Sequence, residues 1–393
     1  MKASPKPKII RTSTIPIALA NLLRGQLAFL NEHFEIVAVS SPGEYLEVVS
    51  EREKVRTESV QMYRNIKPFH DLVSLWKLYR LFRREKPFLV HSITPKAGLL
   101  SMTAAWMARV PVRAHTFTGL IFPSKSGVMR TLLIAMDKIL CSFATTIYPE
   151  GQGVKRDLEQ FGITKKPLNV IGNGNVNGID VDFFSNAHFS SEENRNLKTS
   201  LGISDEDFVF VFVGRIVRDK GIEELTSAFD KLSEQNPNVK LLLVGDREQD
   251  LDPISERSEN SIRNNPNIIS LGWQNDVRPF YAIADALAFP SYREGFPNVV
   301  MQAGAMDLPS IVTNINGCNE IVEHANNGLI IEPKDEKALF EAMKTLLENE
   351  SVFLRLKANA RQAIVSRYAQ KALWEALLFE YERLSASQKR GIS

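Results

Sequence analysis

Cysteine is nearly missing from this sequence: Cys141 and Cys318 are the only two in 393 residues. They set no metal-ligand spacing and frame no disulfides, which points to a reducing compartment. No run of 18 apolar residues occurs, so no membrane-spanning helix is expected. The first residues, Met-Lys-Ala-Ser-Pro-Lys-Pro-Lys, are basic, but only Ile9-Ile10 precedes Arg11, and the apolar core of a secretory signal is lacking. Net charge is small as well, formally +2, so no whole-chain attraction for nucleic acid exists and any basic patch has to be local. Low-complexity tracts and short internal repeats are absent. These absences leave a cytoplasmic protein with no nucleic-acid partner as the expectation.

What is present is ordinary globular composition, 44% hydrophobic and 24% charged, in a chain too long for one core. Short apolar runs at residues 8–10, 34–39, 55–60, 88–91, 112–116 and 145–148 read as strands. Helical runs at 21–30, 71–84, 97–108 and 128–143 alternate with them. The rhythm resumes with strands at 208–213, 240–244, 268–271, 286–289, 310–313 and 328–331. Helices at 222–234, 277–284, 299–306, 335–349, 352–368 and 371–385 accompany these. Strand-then-helix repetition with short turns marks parallel, doubly wound α/β sheets, whose ligands sit at the carboxyl ends of the strands. Between the halves, Gly172, Gly174 and Gly178 are wrongly spaced for a dinucleotide fingerprint and read as a turn-rich link. The polar stretch 188–199 shows little periodicity and belongs to the same junction. The expected organisation is a domain over 1–180, a second over 181–370, and a helix in 371–393 that packs back on the first.

Chemistry concentrates in two stretches of the second half. Phe289 to Gln302 reads Phe-Pro-Ser-Tyr-Arg-Glu-Gly-Phe-Pro-Asn-Val-Val-Met-Gln and joins a strand to a helical run. Glu294 there has two readings: a cap at a helix start, or a carboxylate gripping hydroxyls beside an anion held by the Gly295 and Phe296 amides. Upstream, Gly214-Arg215 and Lys220-Gly221 bracket one loop after a strand. It is either a solvated basic turn or a diphosphate cradle, with Arg215 forked onto oxygens and Lys220 as a point charge.

Taken in order, Val-Gly-Arg-Ile-Val-Arg-Asp-Lys-Gly, Leu-Val-Gly-Asp, Leu-Gly-Trp, Asp276-Val277, Tyr281 to Asp285 and the Glu294 stretch resemble glycosyltransferase family 4. The resemblance is full from about Phe208 onward and looser before it. It implies the GT-B fold, two Rossmann-like domains facing each other across a cleft, with the sugar nucleotide held by the second. It also implies a retaining enzyme that moves a hexose or N-acetylhexosamine from a UDP-sugar without a metal. Arg215 and Lys220 match the family's diphosphate-neutralising pair, with Gly214 beside them. Glu294 matches the carboxylate on the donor sugar, flanked by Gly295, Phe296 and Pro297. Trp273 stands where the family borders the base, although a Trp after a strand is also often core. Gln302 stands where a second glutamate meets the ribose; an amide there still donates and accepts but lacks the strength of a charge-assisted bond.

The acceptor side matches less closely. The family's glycine pair after the first strand is replaced by Thr12-Ser13-Thr14, and its turn histidine by Thr118, with His115 three residues earlier. His91 and Lys96 flank the end of a strand, where His91 is either a cleft residue or an interior histidine. Residues 71–86 set Leu72, Leu75, Trp76, Leu78, Tyr79 and Phe82 against Lys77, Arg80, Arg83, Arg84 and Lys86. Such a helix either covers a sheet with a solvated basic face or lies on an anionic membrane. The first half is most similar to relatives that build capsule or lipopolysaccharide on polyprenyl-diphosphate carriers. That implies a lipid-linked glycan acceptor and peripheral contact with the inner face of the plasma membrane. Two other classes share the fold: a sugar-nucleotide 2-epimerase and a silent sugar-nucleotide-binding subunit.

Overall fold

The computed structural model describes residues 6–248 and 252–390. Contacts divide the chain into two units: unit one runs to Gly178 and resumes at Gln370, and unit two is Ile179–Ala369. Unit one holds strands β1 (Lys8–Thr12), β2 (Glu35–Ser40), β3 (Arg56–Ser59), β4 (Leu89–Ser92), β5 (Val112–Phe117) and β6 (Thr146–Pro149). Their order is β3-β2-β1-β4-β5-β6. Unit two holds β7 (Phe208–Val213), β8 (Val239–Val244), β9 (Ile268–Gly272), β10 (Ala286–Phe289), β11 (Ser310–Thr313) and β12 (Gly328–Ile331), ordered β12-β11-β10-β7-β8-β9.

Every named strand pairing is parallel. Parallel strands need crossovers that cover both sheet faces, so their sequences run apolar without alternation. Phe-Val-Phe-Val-Phe-Val in β7 is the plainest case, with five of its six residues buried. Counted from its own first strand, each sheet has the same order. The first strand lies beside the fourth, and the direction of winding reverses between them. These reversals, β1/β4 and β7/β10, are where such sheets leave a crevice for ligands.

The expected boundaries at 180/181 and 370/371 fall instead at 178/179 and 369/370. The Ile179 amide donates to the Tyr368 carbonyl at 2.8 Å, and Ile179 bridges to Ala369, which ties both crossings of the chain into unit two. The last helix, Gln370–Arg390, packs within unit one. Its Trp374 indole donates to Asn177 Oδ1 at 2.8 Å, and its Tyr381 hydroxyl meets Arg11 and His91.

Three local readings change. The helix expected over 21–30 is two helices, Pro16–Leu22 and Gln26–Asn31. Gly25 breaks them at φ +78°, a left-handed backbone that glycine takes freely, and the Trp374 ring fills the space where a Cβ would stand. The polar stretch after His188 is not a link but the helix Ser191–Ser200 of unit two. Ser190 Oγ accepts from the Glu193 amide at 3.2 Å while the Glu193 carboxylate accepts from the Ser190 amide at 2.8 Å, a reciprocal cap that starts a helix without an apolar face. The 277–284 helix shortens to Arg278–Ala282.

Among the described residues no helix is long and apolar enough to cross a membrane. The helix Pro68–Glu85 buries Ser74, Leu78, Leu81 and Phe82. Its first half also exposes Phe69 (84% accessible), Leu72, Val73 and Trp76, a second apolar stripe at the i, i+3, i+4, i+7 spacing of one helix face. This helix therefore covers its sheet and still offers apolar surface outward.

Candidate functional site

Two loops meet at the β7/β10 reversal. The loop after β7 ends at Gly221, φ +73°, where a Cβ would collide with the Pro290 carbonyl of the loop after β10. Only glycine lets the two backbones lie this close. The Tyr292 amide donates to the Asp219 carbonyl at 2.9 Å and fastens one loop to the other. As a result Lys220 Nζ donates to Glu294 Oε1, which also accepts from Ser291 Oγ at 2.8 Å. Both charged side chains are mostly buried, at 13% and 16% accessibility, and the ammonium lies 5.9 Å from the centre of the Phe289 ring.

Glu294 is not a helix cap. The helix Asn298–Ala305 starts four residues later, and Pro297, at its N-cap, makes no side-chain capping bond. Between them the Gly295 and Phe296 amides donate to no protein acceptor among the described residues. The stretch thus presents a fixed carboxylate followed by two open N–H groups, an arrangement that suits hydroxyls and an anion together.

Arg215 reaches outward and pairs with Glu248, Nη1 to Oε2 at 2.5 Å, with Asp219 at 4.0 Å. An exposed pair of this kind contributes about 0–1 kcal/mol, so an arriving phosphate can take the guanidinium over. Gly214 leaves β7 at φ +153°, a backbone that favours glycine, its amide donating to the Val244 carbonyl at 2.9 Å. Trp273 follows β9 and is 65% accessible, so the core reading of this residue fails. Its amide donates to Asp246 Oδ1 at 3.0 Å and its indole N–H to Asn275 Oδ1 at 3.3 Å, which leaves the ring face on the surface. Gln302, on the Asn298–Ala305 helix, accepts a long bond of 3.4 Å from the Tyr281 hydroxyl through Oε1. Its Nε2 has no protein partner among the described residues.

Sequence reasoning passed over Ser291 and Cys318. Ser291 lies inside the Glu294 stretch, and its proximity in sequence was the available signal. Cys318 is buried close to the pair; burial first, and then the Glu294 charge, push its thiol well above the usual range, so it stays a neutral packing residue.

In unit one, most of the acceptor-side candidates spend their polar atoms on their own unit. Thr14 Oγ1 meets Thr94 Oγ1 at 2.8 Å and accepts from the Ala97 amide at 3.1 Å, in the first turn of the helix Pro95–Met107. His91 is interior, with Nδ1 on the Tyr381 hydroxyl at 2.6 Å and Nε2 on Thr116 Oγ1 at 2.7 Å. Burial, with Arg11 and His115 adding to it, pushes its pKa well below the ordinary value, so it is neutral. His115 bonds Ser92 Oγ at 2.8 Å, and burial pushes its pKa down to about 3. Thr118 donates to the Ile93 carbonyl at 3.1 Å. Lys96 pairs with Asp71 Oδ2 at 2.5 Å and lines a cavity.

Known proteins resemble this chain along most of its length. The family described as Glycosyl transferases group 1 matches residues 193–363, and a Glycosyl transferase 4-like domain matches residues 19–174. The chain is 34% identical to the Staphylococcus aureus capsular polysaccharide biosynthesis glycosyltransferase CapM over 358 residues, 91% of this chain and 92% of that protein. It is 28% identical, over 78% of both chains, to the Escherichia coli UDP-Gal:alpha-D-GlcNAc-diphosphoundecaprenol alpha-1,3-galactosyltransferase. Among solved structures, Anabaena HepE in complex with UDP matches with a TM-score of 0.79 at 20% identity, over 97% of this chain and 100% of that one. WaaG, a glycosyltransferase involved in lipopolysaccharide biosynthesis, matches with a TM-score of 0.69 at 14% identity, over 94% and 98%. At these identities the structural likeness concerns the fold.

Proposed function

The chain belongs to the GT-B glycosyltransferases of the surface-polysaccharide branch, and from that premise we propose that it transfers a hexose or N-acetylhexosamine from a UDP-sugar to a lipid-linked glycan with retention of configuration. The observation that carries this reading is the Lys220–Glu294 pair at the β7/β10 reversal. It sets a cation for a phosphate beside a carboxylate for sugar hydroxyls, on one loop junction.

The difficult event is departure of UDP, which gains negative charge as the sugar–phosphate bond breaks. Lys220, held beside Glu294, and Arg215, once the donor phosphate has drawn it from Glu248, stabilise that charge, and the Gly295 and Phe296 amides add neutral donors. The two cations take the part a divalent ion would otherwise have. Glu294 accepts from the donor-sugar hydroxyls and orients the anomeric carbon. Gln302 Nε2 is available to the ribose, and the exposed Trp273 ring to the base. In a retaining transfer the acceptor hydroxyl attacks on the face that UDP leaves, and its proton passes to the departing phosphate. No protein nucleophile is assigned.

The name of the Escherichia coli relative pairs a UDP-sugar with a diphosphoundecaprenol acceptor, which supports both substrate classes. The exposed stripe Phe69, Leu72, Val73 and Trp76, near Lys77 and Arg80, suits contact with an anionic inner membrane surface. The test is a transfer assay with UDP- and GDP-sugars on an undecaprenyl-diphosphate-linked acceptor, with the anomer assigned by NMR. UDP-sugars are expected to serve and the donor configuration to persist. Activity with GDP-sugars alone overturns the uridine assignment, and an inverted product overturns retention.

A further inference from the structure

In unit one, the segments leaving β4 and β5 frame a cavity of about 90 Å³ lined by Lys96, Leu99, Leu120, Leu133 and Asp137, with the exposed Arg64 at its edge. This is the carboxyl end of the sheet, the side on which such sheets take ligands. Most of the wall is apolar. Asp137, on the helix Gly127–Phe143, nevertheless carries its carboxyl into this wall with no hydrogen bond or ion pair among the described residues. Burial pushes its pKa up to about 7. A half-buried carboxylate without a protein partner, set in a mostly apolar wall, is open to a ligand that brings hydrogen-bond donors, and such groups cluster at functional sites.

Two further features narrow the ligand. Arg64 has no acceptor among the described residues, whereas Lys96 is held by Asp71, so the cavity edge keeps one uncommitted guanidinium. Apolar surface runs on from the cavity. Ile66 lines it and is itself exposed, and it leads to Phe69, Leu72, Val73 and Trp76 on one helix, while Val128, Met129 and Leu132 stand exposed on the Asp137 helix. Hydroxyls for a carboxylate, an anion for a guanidinium and a long apolar chain for the stripe occur together in one kind of molecule. A free glycan would leave the stripe unused, and a bare lipid would leave Asp137 unpaired.

We propose that this cavity holds the lipid-proximal sugar of a polyprenyl-diphosphate-linked acceptor, with Asp137 accepting from its hydroxyls, Arg64 on the diphosphate and the prenyl chain along the 66–76 stripe. The inference rests on the glycosyl-transfer reading above, and it adds an acceptor subsite with named contacts. Asp137 is here an acceptor-binding residue.

The experiment is calorimetric titration of the full chain with farnesyl diphospho-N-acetylglucosamine, without donor, and with UDP in parallel. Asp137→Asn is expected to weaken the lipid-linked sugar at least tenfold at pH 8, and Arg64→Ala at least threefold. Both variants should bind UDP within twofold of wild type, which shows that they are folded. Binding to the wild type should weaken as pH falls from 8 to 6, because protonation removes the anionic acceptor, and Asp137→Asn should lose that dependence. Arg64 and Lys96, the cations that line the cavity, are common to the wild type and Asp137→Asn, so the comparison isolates the carboxyl. The Cys141 thiol, one turn along the helix and pushed up to about 12, stays neutral. Absence of binding by the wild type, or unchanged binding in both variants, overturns the subsite. The transfer reading is judged separately, by whether the wild type moves sugar from UDP donors at all.

Discussion

At the β1/β4 reversal of unit one, the Thr14 and Thr94 hydroxyls meet at 2.8 Å, and Thr14 Oγ1 turns to the amide of Ala97. At the β7/β10 reversal of unit two, Lys220 and Glu294 meet instead, with open amides just beyond them. The sheets have the same strand order, so topology supplies the same crevice twice. Side-chain chemistry decides its use. Neutral hydroxyls that satisfy each other and a helix end leave nothing for a ligand. A mostly buried ion pair has given up most of its water for few partners, Glu294 alone for Lys220 and Lys220 with Ser291 for Glu294, and a ligand bearing hydroxyls and phosphate can complete both shells. In unit one Asp137, a carboxylate without a protein partner among the described residues, lies away from the reversal, in the cavity beyond β4 and β5.

The contrast predicts unequal consequences for equal truncations. The largest belongs to Glu294→Ala. It should lower kcat/KM for transfer by roughly 10²- to 10³-fold, the scale of losing one preorganised polar contact to a reacting group. Its thermal midpoint should stay close to wild type, because the pair serves binding more than folding. Thr14→Val should do the reverse. It leaves the Ala97 amide and the Thr94 hydroxyl short of a partner, should cost about 1 kcal/mol of stability, and should not change UDP affinity. Scanning calorimetry and a UDP titration on each variant separate the two behaviours. The smallest effect is expected from Gln302→Glu, which places a charged acceptor where the ribose is expected and should tighten UDP a few-fold. Unchanged or weaker UDP binding would leave Gln302 to its Tyr281 contact.

Much of unit two could be read ahead of the structure, because its site is written in two short loops. Arg215, Lys220 and Glu294 each follow an unmistakable apolar strand, and Pro297 already sets the helix start past Glu294. What stayed hidden depends on distant packing. Gly25 parts two helices at a left-handed backbone, and Trp374, from the far end of the chain, takes the space a side chain would need there. Asp137 sits among apolar neighbours in a helix of ordinary pattern, and its lack of a partner follows from residues 64–66 and the end of β5 closing around it. The interior place of His91 is set by Tyr381, 290 residues away in sequence. The helix Ser191–Ser200 is a different case: Ser190 and Glu193 carried its capping signature, but without an apolar stripe the segment passed as a link.

The central claim is that the β7/β10 reversal holds the donor's diphosphate through Lys220. Titrating the wild type and Lys220→Ala with UDP and with uridine tests it most directly. The account predicts that UDP binding falls at least tenfold in the variant while uridine binding stays within twofold. Equal weakening of both ligands, or none of either, would contradict it.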